Sequence, residues 1–179
     1  MSREEIKPQK TLESGYVTIE DLAKAGMIPP MEVLERKAVP IIDDIEHIPC
    51  TPCYDVCPTK AIIMPTMNDP PKVDWEKCTG CTLCAQACPG LAITIVNMAF
   101  GKNVLKRDGL ALVSIPYELI PIPKKGDKVR VYDRGHSFLT EGEVYSVIKS
   151  PKFGTVLVNV LVPKEVALDV KFVEVIKDE

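Results

Sequence analysis

All seven cysteines of this 179-residue chain fall between Cys50 and Cys88. The first group reads Cys50-Thr-Pro-Cys53-Tyr-Asp-Val-Cys57-Pro58. The second reads Cys78-Thr-Gly-Cys81-Thr-Leu-Cys84-Ala-Gln-Ala-Cys88-Pro89. Thiolates are soft, anionic ligands that suit iron held in sulfide clusters. Three of them at this close spacing grip three corners of one iron–sulfur cube, and a further cysteine followed by proline completes a C-x2-C-x2-C-x3-C-P run. The second group is a complete run. The first lacks its opening cysteine, and His47 stands where that residue would be. Zinc ribbons also use C-x2-C pairs, but a three-cysteine run with a C-P ending and a matching second copy is hard to build around zinc. The chemistry predicted is electron carriage, with one cluster chemically unlike the other.

The elements that must position these thiols are legible on either side. The cysteines are odd in number and confined to one stretch, so they are not a disulfide framework. Residues 1–38 read as a helical N-terminal arm. Thr18-Ile-Glu-Asp21 fits a helix N-cap and acidic first turn, and Leu22, Ala23 and Met27 line one side. Pro29-Pro30 stops that helix, and Met31–Ala38 reads as a second short one. The arm either packs on its own protein or docks another subunit. Residues 39–98 read as a repeat of strand, cysteine-bearing loop, short helix and strand. Ile41-Ile42 and Ala61–Met64 flank the first loop, and Val73 and Ala92–Val96 flank the second. Elements this short lack a conventional core, so cluster binding must supply folding free energy.

Residues 99–179 read as all-β. Strands are expected at Leu110–Ile115, Lys128–Tyr132, Gly142–Ile148, Thr155–Val162 and Val170–Ile176. Val156, Val158, Val160 and Val162 share one face at period 2. Turn signals at Lys125-Gly126-Asp127, Asp133-Arg-Gly135 and Phe153-Gly154 separate the strands, which suggests a small barrel or sandwich. The fold class expected for the whole chain is α+β: a pseudo-twofold βαβ repeat around two clusters, a helical arm and a C-terminal β module. Trp75 reads as a packing residue and His136 as a turn residue.

Residues 47–96 resemble the bacterial two-cluster ferredoxin family. The resemblance is carried by Cys50, Cys53, Cys57-Pro58, Cys78-Thr-Gly-Cys81, Cys84 and Cys88-Pro89. In that family the last cysteine of each run ligates the other cluster. The resemblance therefore implies cluster A, a 4Fe-4S cluster, on Cys57, Cys78, Cys81 and Cys84. It implies cluster B on Cys50, Cys53 and Cys88. The departure at His47 leaves four outcomes for B. His47 ligates it; or Asp44 does, if the chain before Cys50 bends; or B is a 3Fe-4S or open 4Fe-4S cluster on three cysteines; or B does not assemble. Imidazole in place of thiolate removes a negative charge, which would give B the higher potential.

More broadly, the order of helical arm, Ile-Pro-Cys-x-Pro-Cys, Cys-Pro-Gly-Leu-Ala-Ile and C-terminal β region resembles ferredoxin-type subunits of FAD-dependent dehydrogenase complexes. Such complexes oxidise amino acids or amines. The resemblance implies a non-catalytic electron-transfer subunit whose partners are a FAD-containing subunit and another iron–sulfur subunit, with no flavin on this chain. A diffusible ferredoxin-type carrier and a redox-sensing regulatory module are the alternatives. No G-x-G-x-x-G, P-loop or H-E-x-x-H motif and no nucleophile–base pair is found. The net charge of −3 and the lack of a basic stripe argue against a nucleic-acid partner. The start of the chain has no apolar signal region, and no apolar run reaches membrane-span length. The expectation is a cytoplasmic hetero-oligomer component without direct membrane insertion.

Overall fold

A capping box opens the helix that begins at Ile19. In the computed structural model, which describes residues 14–176, the Thr18 side chain accepts from the Asp21 N–H at 3.2 Å. The Asp21 carboxylate in turn accepts from the Thr18 N–H at 3.1 Å. Helix α1 (Ile19–Lys24) follows, and α2 (Met31–Leu34) starts directly after Pro30. Leu22 and Leu34 are fully buried, and Met27 and Val33 nearly so. They join the same apolar cluster as the strands. These apolar side chains of the arm are therefore spent on its own protein, while residues 1–13 of the expected arm lie outside the described residues.

The cysteine-bearing segment is built from β1 (Val39–Ile42), α3 (Pro52–Val56), β2 (Ile62–Ile63), β3 (Lys72–Val73), α4 (Leu83–Ala87) and β4 (Ile93–Asn97). Strand β1 pairs antiparallel with β4, with Ile42 opposite Ile93. Strand β2 pairs antiparallel with β3, with Ile62 opposite Val73. The outer strands of the two halves thus pair with each other, as do the inner ones, and α3 contacts α4.

The C-terminal strands are β5 (Leu110–Tyr117), β6 (Lys128–Tyr132), β7 (Phe138–Lys149), β8 (Val156–Pro163) and β9 (Phe172–Val175). The order β1-β4-β5-β8-β7-β6-β9 makes one seven-stranded antiparallel sheet. Its continuity comes from β4 pairing with β5, where Val96 faces Val113. A π-helical turn over Gly101–Leu105, closed by Lys106 in the left-handed region, returns the chain for that pairing. One hydrogen-bonded sheet therefore runs from the cysteine-bearing segment into the β-rich one. Strand β8 is buried on the face opposite its alternating valines as well. Leu157 and Asn159 are buried as well as Val158, Val160 and Val162, and β5 and β7 pair with its two edges. Among the described residues, no helix is long and apolar enough to cross a membrane.

Burial of the arm gives a direct test. Truncating the fully buried Leu34 to alanine is expected to lower unfolding free energy by about 2–5 kcal/mol in denaturant titration. Met31→Ala, at an exposed site on the same helix, should change it by less than about 0.5 kcal/mol. Equal, small effects would place the arm outside the core.

Candidate metal centre

The two halves repeat one local geometry around a cysteine. Cys57 ends α3 with φ −69 and ψ 110; Cys88 ends α4 with φ −71 and ψ 112. Three residues later the backbone turns left-handed in both, at Lys60 (φ 52) and Leu91 (φ 51). That conformation is uncommon for residues with a side chain. It aims the next N–H back at the sulfur: Ala61 N donates to Cys57 Sγ at 3.2 Å, and Ala92 N donates to Cys88 Sγ at 3.3 Å. Such bonds favour the anionic sulfur. Burial pushes the Cys57 thiol up, but the backbone N–H groups of Ile62 and Ala61 and the contacts to Thr59 outweigh it and hold the thiol below its ordinary range.

Cys57 does not face its own run. It lines an apolar cavity together with Cys78, Cys81 and Cys84 of the second group, with Pro40, Ile62 and Ile95 also in the wall. The loop around Cys81 follows this wall through two left-handed residues, Gly80 (φ 68) and Thr82 (φ 68). From the arm, Lys37 Nζ donates to the carbonyls of Cys78 at 2.9 Å and Glu76 at 3.2 Å. Burial pushes the Cys78 thiol up, and the negative charges of Cys81 and Cys57 add to it. Burial, then the charges of Cys78 and Cys81, push Cys84 far up.

The other three cysteines also act on one another, and the charge of Cys53 reaches Cys84 as well. Burial pushes Cys53 up to about 12, and the charges of Cys88 and Cys50 contribute. Cys50 is raised by burial and by the charges of Asp44 and Cys88. The raised thiols of Cys50, Cys53, Cys78 and Cys84 resist ionising unless a cation binds them, a demand an iron–sulfur cluster would meet. All seven cysteines are free, and Cys81 is the exposed one. Among the described residues, no three His, Cys, Asp or Glu side chains converge on one point as ligands of a single ion do. The four thiols around the cavity instead line its wall, and the donor set fits a cluster in which each sulfur takes its own iron.

The two candidate fourth ligands lie differently. His47 is 60% exposed, with Nδ1 3.6 Å from Asp69 Oδ1. The chain leaves β1 at Ile42 and bends at Glu46. This brings the half-buried Asp44 close enough for its charge to raise both Cys50 and Cys53. The Asp44 carboxyl is itself held above its usual range, chiefly by burial. Sequence reasoning missed a buried ion-pair group beside this site, formed by Asp43, Arg134 and Lys171. Arg134 lies 91 residues from Asp43, and Lys171 further still, so no local pattern announces the group.

Comparison with known proteins now adds to this geometry. Residues 71–94 match the family model for a 4Fe-4S binding domain. The chain carries a ferredoxin-type iron–sulfur domain. Pyruvate synthase subunit PorD of Methanocaldococcus jannaschii is 40% identical over 58 residues, covering 32% of this chain and 66% of its own length. Uncharacterized ferredoxin MJ0265 of the same organism is 36% identical over 77 residues, covering 43% of each chain. A component of the Na(+)-translocating ferredoxin:NAD(+) oxidoreductase complex of Acetobacterium woodii is 48% identical over 47 residues, covering 26% of this chain and 14% of its own length. In each case the chain spans less than two thirds of the relative's length. No solved structure matches the chain.

The ferredoxin-type loop has no room at Gly80. A Cβ there would lie 2.6 Å from the Ala38 carbonyl oxygen and 2.8 Å from the Ala38 Cβ, and the positive φ adds strain. Gly80→Ala is expected to cut iron content per chain well below that of Gly90→Ala, where a Cβ meets nothing within 4 Å. Equal iron content in the two variants would contradict this view of the loop.

Proposed function

We propose that the chain is a non-catalytic electron-transfer subunit with two clusters, A on Cys57, Cys78, Cys81 and Cys84 and B on Cys50, Cys53 and Cys88. The observation that supports this reading is the cavity that gathers thiols from both runs. Cys57 of the first run shares a cavity with three thiols of the second, and Cys88 of the second acts electrostatically on Cys50 and Cys53. When bound, the clusters supply one-electron storage. The protein's own groups do the rest. Thiolates hold the iron, the N–H groups of Ala61 and Ala92 stabilise charge on two ligand sulfurs, and Pro40, Ile62 and Ile95 keep water from cluster A. The exposed Cys81 marks the edge where another carrier comes closest. At cluster B the fourth position is open to His47, to Asp44, whose charge bears on Cys50 and Cys53, or to solvent.

Relatives named as parts of pyruvate synthase and of a Na(+)-translocating oxidoreductase complex support a role inside a hetero-oligomer. The whole-chain resemblance supports a FAD-dependent dehydrogenase as the electron donor, with electrons passing through this chain to a further carrier. A diffusible carrier is the second reading, supported by the similarity to a protein named a ferredoxin.

Anaerobic purification of the native protein separates these readings. The expected result is co-elution with oxidoreductase subunits, flavin in the complex, and electrons from the dehydrogenase substrate reaching this chain. A complex without flavin would overturn the FAD-dependent donor. Elution of the chain alone would favour the diffusible carrier.

A further inference from the structure

The group formed by Asp43, Arg134 and Lys171 lies almost wholly inside the protein, with side chains 12%, 6% and 12% exposed. Arg134 donates to Asp43 Oδ1 through Nε at 3.0 Å and Nη2 at 2.9 Å. Its Nη1 donates to the Leu168 carbonyl at 2.9 Å and the Asp169 carbonyl at 3.4 Å. Lys171 Nζ is 2.9 Å from Asp43 Oδ2 and donates to the Leu91 carbonyl at 3.2 Å. The Asp169 carboxyl also lies in the field of Arg134. Buried ion pairs are poor sources of stability, because desolvation offsets their attraction. What this one contacts is therefore more informative than its strength.

The carbonyl that Lys171 holds belongs to the same peptide unit as the Ala92 N–H. That N–H donates to Cys88 Sγ. We propose that Lys171, fixed by Asp43 and Arg134, is a positioning residue that polarises the Leu91–Ala92 peptide toward the Cys88 sulfur and so raises the reduction potential of cluster B relative to cluster A. This rests on the ligand sets proposed above. Its physics is short-range. A cation on the carbonyl makes the amide a stronger donor at its other end. Hydrogen bonds to ligand sulfurs stabilise the more negative, reduced state and set cluster potentials. The other half supplies the internal comparison. The Lys60–Ala61 peptide has the same left-handed turn and the same N–H bond to sulfur. Among the described residues, however, no side chain donates to the Lys60 carbonyl.

Potentiometric titration followed by EPR tests this, with iron measured first on every sample. Lys171→Gln keeps a hydrogen-bond donor and removes the charge. It should load iron as the unmodified protein does and move one of the two midpoint potentials downward while leaving the other in place. Lys171→Arg should restore the shifted potential. Two unmoved potentials, two potentials moved together, or loss of iron in Lys171→Gln would each overturn the inference. Unmodified protein with fewer than two clusters would instead overturn the ligand sets beneath it.

Discussion

The constraint on which the proposed centre depends is that each half lends a sulfur to the other. Cys57 and Cys88 end short helices that cannot stand alone: α3 and α4 have five residues each, and β2 and β3 two each. Helices of that length are not stable in isolation. In the proposed ligand sets, the exchanged sulfurs tie the halves together alongside the packing of Ile41, Ile42, Ile62, Ala85, Ile93 and Ile95. Metal-binding free energy is then folding free energy. The left-handed Lys60 and Leu91 fit this account, because each turns the backbone so that an N–H faces the exchanged sulfur.

The rest of the chain acts as a frame for those loops. Lys37 of the arm bonds the Cys78 carbonyl, Thr155 before β8 bonds the Gln86 carbonyl at 2.6 Å, and Lys171 before β9 bonds the Leu91 carbonyl. Three parts of the sequence thus reach separate points on the second cysteine loop and its helix. The sheet provides the rigidity behind these contacts, since β4 is hydrogen-bonded to both β1 and β5. A sequence that carried only the ferredoxin-type repeat would lack all three supports. This gives the added segments a physical role in holding cluster geometry, besides any surface they offer a partner.

What was legible in the sequence was what is local. Cysteine spacing is a short-range pattern, and it located both loops. The Thr18 cap and the strand at Lys128–Tyr132 rest on residues a few positions apart, and both are present. His47 shows the limit of spacing. Alignment puts it in the place of a ligand, and in the structure its ring lies at the surface near Asp69. Direction of a side chain in a loop is set by the bend, which spacing does not encode. The pairing of β4 with β5 was hidden for a related reason, since the intervening residues read as a join between modules. The bonds of Asp43 to Arg134 and Lys171 were out of reach altogether, because charged residues this far apart in sequence give no sign that they are neighbours.

The central claim is that two clusters share these seven cysteines. Iron and acid-labile sulfide analysis of anaerobically purified protein, with EPR before and after dithionite, tests it most directly. The expected result is about seven or eight irons per chain and two magnetically interacting centres on reduction. About eight irons would mean a fourth ligand at cluster B, and about seven with a 3Fe-4S signal in the oxidised sample would mean a three-cysteine site. About four irons with a single isolated signal, or zinc in place of iron, would contradict it.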